Sequence, residues 1–176
     1  RRRRYFNVGY GVIIRPYRPE DESLLLEWRN SEAHRRWSFS NAPIDVLDHK
    51  NWFAAFLADP AKIGFIGEDE TGRPLGYVRF EPTKLLGTLR VSIGVAPNLL
   101  GKGIGSELLQ KAVEMPEIAS RAFLLKAETF LENVASKRIF EKSGFLNLGG
   151  REAFGRKYNL LTRAVGDGLS GFRFNL

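Results

Sequence analysis

Val95-Ala96-Pro97-Asn98-Leu99-Leu100-Gly101-Lys102-Gly103-Ile104-Gly105-Ser106-Glu107-Leu108-Leu109 is the stretch whose reading decides the fold. Val95 closes a strand-like run, TLRVSIGV from Thr88 to Val95, and a helix is expected from about Gly103 to Glu114. Gly101, Gly103 and Gly105 alternate where that helix begins. Glycine permits tight backbone conformations and lets a ligand approach closely. The first N–H groups of a helix lack intrahelical partners, and with the helix dipole they make an anion site suited to a pyrophosphate. Lys102 adds a positive charge beside it. A dinucleotide fingerprint fits badly: Ser106 stands where its third glycine belongs, and Ala96 to Leu100 separate the strand from Gly101. A nucleoside-triphosphate loop fits badly too, because Gly103 follows Lys102 in place of Ser or Thr. The plain alternative is a glycine-eased helix start with no ligand.

Outward from this loop the elements follow in order. Tyr10–Arg15 reads as a strand. Pro19 with Glu20, Asp21 and Glu22 starts a helix, since proline suits the first position and acids complement the dipole. Leu24, Leu25 and Trp28 give that helix its apolar face, and a short second helix begins near Ser31. Asp45 caps a third helix that stops before Pro60. Ile63–Gly67 and Leu75–Phe80 form a hairpin around the turn Asp69-Glu70-Thr71-Gly72. Beyond the glycine loop come a strand at Phe123–Thr129, a helix at Glu132–Lys142 ended by Gly144, a strand starting at Phe145–Leu148, and a partner at Phe154–Leu160. This order describes an α/β domain with a mixed sheet. Residues 1–10 form a basic arm, 11–160 the domain, and 161–176 a tail without an assigned role.

Composition narrows the function classes. The 176 residues suit one domain, with 43% hydrophobic and 27% charged residues. Without cysteine there is no disulfide framework, thiolate metal site or cysteine nucleophile. His34 and His49, the two histidines, are too few for a histidine-only metal site, so no metal is expected. No apolar run reaches membrane-span length, and no leader core follows the opening arginines, so a cytoplasmic protein without membrane contact is expected. Arg1 to Arg4 carry four of the +7 charges, leaving the rest at +3. Such an arm could touch nucleic acid, but terminal charge runs usually stay solvated.

A second signature lies downstream: Ala127-Glu128-Thr129-Phe130-Leu131-Glu132-Asn133-Val134-Ala135-Ser136, then Phe140 to Gly144-Phe145. Together the two segments resemble the GNAT acetyltransferases. Their first motif is a strand, a proline and Gln/Arg-x-x-Gly-x-Gly/Ala opening a helix; their second is Asn-x-x-Ser/Ala followed by Phe/Tyr-x-x-x-Gly-Phe. The resemblance covers about Arg15 to Leu148. It implies a single domain with a mostly antiparallel central sheet flanked by helices, and a splayed strand pair forming an acetyl-CoA cleft. Gly101, Lys102, Gly103, Ile104, Gly105 and Ser106 would then hold the cofactor's phosphates. The backbone of Ile93, Gly94 and Val95 would pair with pantetheine, and Asn133 and Ser136 would lie near the cofactor arm. Asparagine is equally a favoured N-cap. Leu100 replaces the usual Gln/Arg, and Phe140 replaces the tyrosine that protonates the thiolate in many relatives. Phe140 therefore reads as a core residue. These two departures also fit a catalytically degenerate CoA-binding module.

The implied chemistry is direct attack of a primary amine on the thioester with both substrates bound. A carboxylate must take the amine's proton. Glu128 is the first candidate, Glu81 the second, and Ser92 a relay; solvated strand-end residues are the alternative for each. The Val95 N–H is the positional donor to the oxyanion. Leu26-Glu27-Trp28-Arg29-Asn30, Arg35-Arg36-Trp37 and His49 resemble the branch acting on nucleotide-linked aminosugars, typified by the pseudaminic-acid pathway. That resemblance puts Arg29 and His49 near acceptor phosphates or sugar, where an arginine forks onto anions. Protein N-termini and other small amines are the alternatives as acceptor. Trp28, Trp37 and Trp52 read as core. Relatives that dimerise through their last strands imply a homodimer.

Overall fold

Residues 10–153 and 155–165 are described in a computed structural model of the chain. The Arg1–Arg4 arm and most of the tail assigned to 161–176 lie outside them. The strands are β1 (Ile13–Pro16), β2 (Ile63–Glu68), β3 (Pro74–Pro82), β4 (Thr88–Val95), β5 (Leu124–Phe130), β6 (Leu146–Ala153) and β7 (Arg156–Ala164). The helices are α1 (Glu22–Asn30), α2 (Glu32–Arg35), α3 (Val46–Ala58), α4 (Ile104–Val113), α5 (Pro116–Ala119) and α6 (Val134–Lys142). One seven-stranded sheet runs in the order β1-β2-β3-β4-β5-β7-β6. Every neighbouring pair is antiparallel except β4 and β5.

Local chemistry sets the element ends. The Asp45 carboxylate accepts from the N–H groups of Leu47 (2.7 Å) and Asp48 (3.3 Å), capping α3. Asp69 accepts from Thr71 and Arg73 N–H groups and closes the β2–β3 turn. Arg15 grips both oxygens of Asp21 at 2.8 Å and reaches Glu68 at 2.6 Å, tying β1 to the start of α1.

Three boundaries differ from the sequence reading. The first strand begins at Ile13, not Tyr10, because the Glu107 carboxylate takes the N–H groups of Tyr10 (2.8 Å) and Val12 (2.9 Å). β6 continues past Leu148 to Ala153: Leu148 and Gly149 make a bulge between the pairs Asn147↔Leu161 and Gly150↔Asn159, within the strand. β7 continues to Ala164, four residues past the boundary placed at 160, and stays paired with β5 throughout (Leu124↔Ala164).

The pairing of β4 with β5 positions the site. It covers only Thr88↔Leu124, Leu89↔Leu125 and Arg90↔Lys126. Past Arg90, β4 stays paired with β3 as far as Val95, and past Lys126, β5 stays paired with β7 as far as Phe130. The two strands therefore splay apart at their C-terminal ends. Helices cover both faces. A Cβ on Gly67 or Gly76 would press on Leu108 of α4, and one on Gly105 would meet Ile139 of α6 at 2.7 Å, so α4 and α6 share one face. Tyr77 and Arg79 project from the opposite face, where α1 and α3 bury Leu25, Trp28, Phe53 and Phe56. Each such large apolar side chain contributes about 1.5–3 kcal/mol on burial. Phe140 is 2% exposed and meets the Phe145 ring edge-on at 5.0 Å, the core role expected of it.

Candidate active site

The glycine loop presents main-chain donors at a helix start. Gly101 (φ 78°) and Gly103 (φ 84°) sit in the left-handed region, where only glycine is unstrained, and a Cβ on either would meet no protein atom within 4 Å. Gly105 is needed for packing: its missing side chain lets α4 close on Ile139 and on Val95 (3.2 Å). Among the described residues, none accepts from the main-chain N–H groups of Gly101, Lys102, Gly103, Ile104 or Gly105. These are free donors at a helix N-terminus, the arrangement that suits phosphate oxygens. Lys102 is exposed beside them, and the Ser106 N–H is spent on the Gly103 carbonyl at 3.1 Å.

The register of β3 and β4 sorts the strand residues. Ala96 N–H donates to the Leu75 carbonyl at 2.9 Å, so the Tyr77–Gly94 pair is also hydrogen-bonded, and the Gly76–Val95 pair is not. The main-chain groups of Val95 and Ile93 thus face the splay, while those of Gly94 are committed to β3. Gly94 serves a different purpose: a Cβ there would strike the Tyr77 ring at 2.4 Å, so glycine admits Tyr77 on the α1/α3 face. Asn133 caps α6, its side-chain oxygen accepting from Ser136 N–H at 3.0 Å.

The proton-transfer candidates share the α1/α3 face. Arg79↔Ser92, Glu81↔Arg90 and Arg90↔Lys126 are cross-strand partners, and side chains alternate along each strand. Ser92 and Glu128 each lie two residues past the last β4–β5 pair, on that one face, at the opening of the splay. Glu128 pairs with Lys126 at 3.0 Å and is only partly buried. Glu81 sits one strand away; its Oε2 is shared by Arg79 (3.2 Å) and Arg90 (3.5 Å).

A cavity of about 330 Å³ opens on the same face, lined by Tyr17, Arg29, His49, Trp52, Tyr77 and Arg79 among others. Both Arg29 and His49 line it. Arg29 has no carboxylate partner among the described residues, and its buried Nη1 makes no hydrogen bond. Burial lowers its pKa, the mark of a cation stripped of water. His49 is 3% exposed, donates from Nδ1 to Glu22 at 2.9 Å and stacks on Phe53. Trp28 is buried and stacks on Tyr77, while half-buried Trp52 carries the Arg79 guanidinium 4.9 Å from its ring.

A profile of the acetyltransferase (GNAT) domain matches residues 12–146. The chain belongs to the GNAT acetyltransferase family. This makes it an N-acetyltransferase that takes its acetyl group from acetyl-CoA, and the free donors and splayed strand described above fit that cosubstrate. A phosphinothricin acetyltransferase candidate of Bacillus subtilis (strain 168), YwnH, is 30% identical over 148 residues, covering 79% of this chain and 88% of that GNAT relative. The L-methionine sulfoximine/L-methionine sulfone acetyltransferase of Pseudomonas paraeruginosa is 27% identical over 124 residues, 68% of this chain and 71% of that one. In fold, the chain is similar to spermidine N-acetyltransferase from Vibrio cholerae, solved with CoA and spermine: TM-score 0.78 at 18% identity, over 89% of this chain and 96% of that one. No helix among the described residues is long and apolar enough to cross a membrane.

Tyr77 and Arg79, which line the cavity, escaped the sequence reading. Tyr77 and Arg79 alternate on a strand, a signal shared by any half-buried sheet. His34 gives no local signal, because its contact, described below, lies 61 residues away in sequence.

Proposed function

We propose that this enzyme acetylates a small primary amine that also carries an acidic group, of the α-amino-acid kind, with Arg29 holding the acid. The observation that carries this reading is the unpaired, half-buried guanidinium of Arg29 in a cavity of about 330 Å³. A cation desolvated without an anion is costly, and a carboxylate or phosphinate would repair that. The cavity lies at the small end of ligand pockets, about 300–1,000 Å³. The relatives named for phosphinothricin and methionine sulfoximine support the same class, since methionine sulfoximine bears its amine beside a carboxylate. A nucleotide-linked aminosugar is the second reading. Arg29 and His49, the two residues that suggested it, line one cavity, and it would present phosphates to the same guanidinium.

In this reading the loop donors from Gly101 to Gly105 anchor the cofactor's phosphates, and Ile93 and Val95 align its pantetheine arm. Asn133 and Ser136 border that arm from α6. Bound acetyl-CoA supplies an activated thioester carbonyl, whose oxygen the Val95 N–H stabilises as negative charge develops. Glu128 takes the amine's proton, directly or through water, with Ser92 as relay. Glu81 instead holds Arg79 and Arg90 in place. Phe140 has no proton to give, so the departing thiolate takes its proton from water or another group, or leaves unprotonated. We also propose that two chains associate through β6.

The test is calorimetric titration of acetyl-CoA into the wild type and Gly103→Trp, followed by acetyl transfer to a panel of amines. Wild type is expected to bind near 1 μM, about −8 kcal/mol, and the variant to lose binding. Arg29→Gln should raise the acceptor's KM about tenfold while leaving acetyl-CoA affinity unchanged. Binding without transfer to any amine would favour a CoA-binding module, and no binding by folded wild type would overturn the reading.

A further inference from the structure

The turn after α2 joins the two arms of the splay. On the β4 side, His34 Nε2–H donates to the Val95 carbonyl at 2.9 Å, and its ring meets Tyr77 edge-on. On the β5 and β7 side, Arg156 donates to the Ser38 carbonyl at 3.0 Å while lying 3.4 Å from the Phe130 ring centroid. Phe39 packs edge-on against Phe130 (4.9 Å) and Tyr158 (6.0 Å). Phe130 and Tyr158 are cross-strand partners, and their alternation puts both on the α1/α3 face with Glu128. The segment between the two anchors is stiffened from within: Trp37 N–H donates to His34 O (3.1 Å), Ser38 N–H to Arg35 O (3.0 Å), and Ser38 Oγ to His34 O (3.1 Å). A rigid turn thus crosses the opening from Val95 to Phe130, over the face that bears Ser92 and Glu128.

We infer that residues 34–39 are a specificity-determining strap, pinned by His34 to β4 and by Arg156 to β7, that limits the bulk of the amine reaching the splay. The inference rests on the acceptor approaching from the α1/α3 face, as in the function proposed above. His34 and Arg156 are positioning residues, acting through the strap. Removing either pin frees the turn at one end and widens the opening. The carbonyl of Val95 keeps a second lone pair for a ligand, so losing His34 does not remove a cofactor contact.

The experiment uses His34→Ala and Arg156→Ala, with His34→Gln and Arg156→Lys as conservative partners, on the full chain. Amide hydrogen exchange is read over residues 34–39. Both alanine variants should exchange there about tenfold faster than wild type, and the conservative variants close to wild type. Acetyl-CoA affinity by calorimetry should be unchanged. With small and bulky acidic amines as acceptors, the ratio of kcat/KM should shift about tenfold towards the bulky one in both alanine variants, through KM more than kcat. The double alanine variant should add little to either single one, because both pins hold the same turn. Unchanged exchange at 34–39, or faster exchange with an unchanged acceptor ratio, would overturn the strap. Wild type that binds no acetyl-CoA would instead overturn the acetyltransferase reading, and the exchange measurement, which needs no substrate, would still decide whether the pins hold.

Discussion

Glu128 and Glu81 are both strand carboxylates on one face, and their surroundings separate their roles. Glu128 stands at the mouth of the splay with one lysine beside it, whereas Glu81 is held by two arginines a strand away. Glu128→Gln should therefore lower kcat/KM by about 10²–10⁴ with acetyl-CoA affinity intact, measured by initial rates and calorimetry. Glu81→Gln should instead lower the melting temperature, because Arg79 and Arg90 lose their shared partner. His34 offers a pH signature. Burial lowers its pKa from the ordinary 6.5, so the folded state resists the proton that the unfolded chain accepts. Stability is thus whole above about pH 6.5 and falls as pH drops towards the lower folded value. The loss in melting temperature between pH 7 and pH 5 should be smaller in His34→Gln than in wild type. An equal loss in both would contradict a neutral, half-buried His34. At this scale, what the sequence disclosed were contacts made over short spans, such as the caps at Asp45 and Asn133. Arg29 and His49 could be singled out only through resemblance, and the contact of His34, whose partner comes from another element, was not legible at all.

Helix α4 works as a unit whose N-terminus presents donors and whose next turn holds the chain before β1. Glu107 accepts from Tyr10 and Val12 N–H groups, and Lys111 donates to the Val12 carbonyl. A carboxylate accepting from main-chain N–H groups forms charge-assisted bonds, stronger than neutral ones. Glu107→Ala should cost about 2 kcal/mol, seen as a lower denaturant midpoint, and should speed exchange near residues 10–12. A midpoint equal to wild type would mean that the clamp contributes nothing. The same clamp explains why the first strand starts later than its apolar pattern suggests. Alternation in Tyr10–Arg15 reports a half-buried extended chain, and extended chain can bond to a helix side chain as well as to a strand. The glycine loop was the opposite case. Its φ-positive glycines, proline and helix start are all local, so a donor-bearing helix start could be read directly.

Across the whole molecule, the sheet order depends on pairings that no single segment encodes. The α/β class and the hairpin were evident from element order, but β7 lying between β5 and β6 was not, because its pairing with β5 joins segments distant in sequence. Among the described residues, that order leaves β6 at the sheet's edge, bonded to β7 alone. Leu146 is 71% exposed and Leu148 51%, on a strand whose outer row of N–H and C=O groups has no partner strand among the described residues. Natural proteins usually blunt such an edge or pair it. A second copy meeting the first across a two-fold axis would continue the sheet and cover both leucines, since an isologous contact uses the same patch twice. Sedimentation velocity should then show a species of twice the 19.9 kDa chain mass at micromolar concentration. Changing Leu146 and Leu148 together to lysine should shift it to the single chain without lowering the melting temperature of the monomer, because neither side chain packs in the core. A wild type that sediments as 19.9 kDa at every concentration would exclude pairing through β6 and leave that edge to solvent.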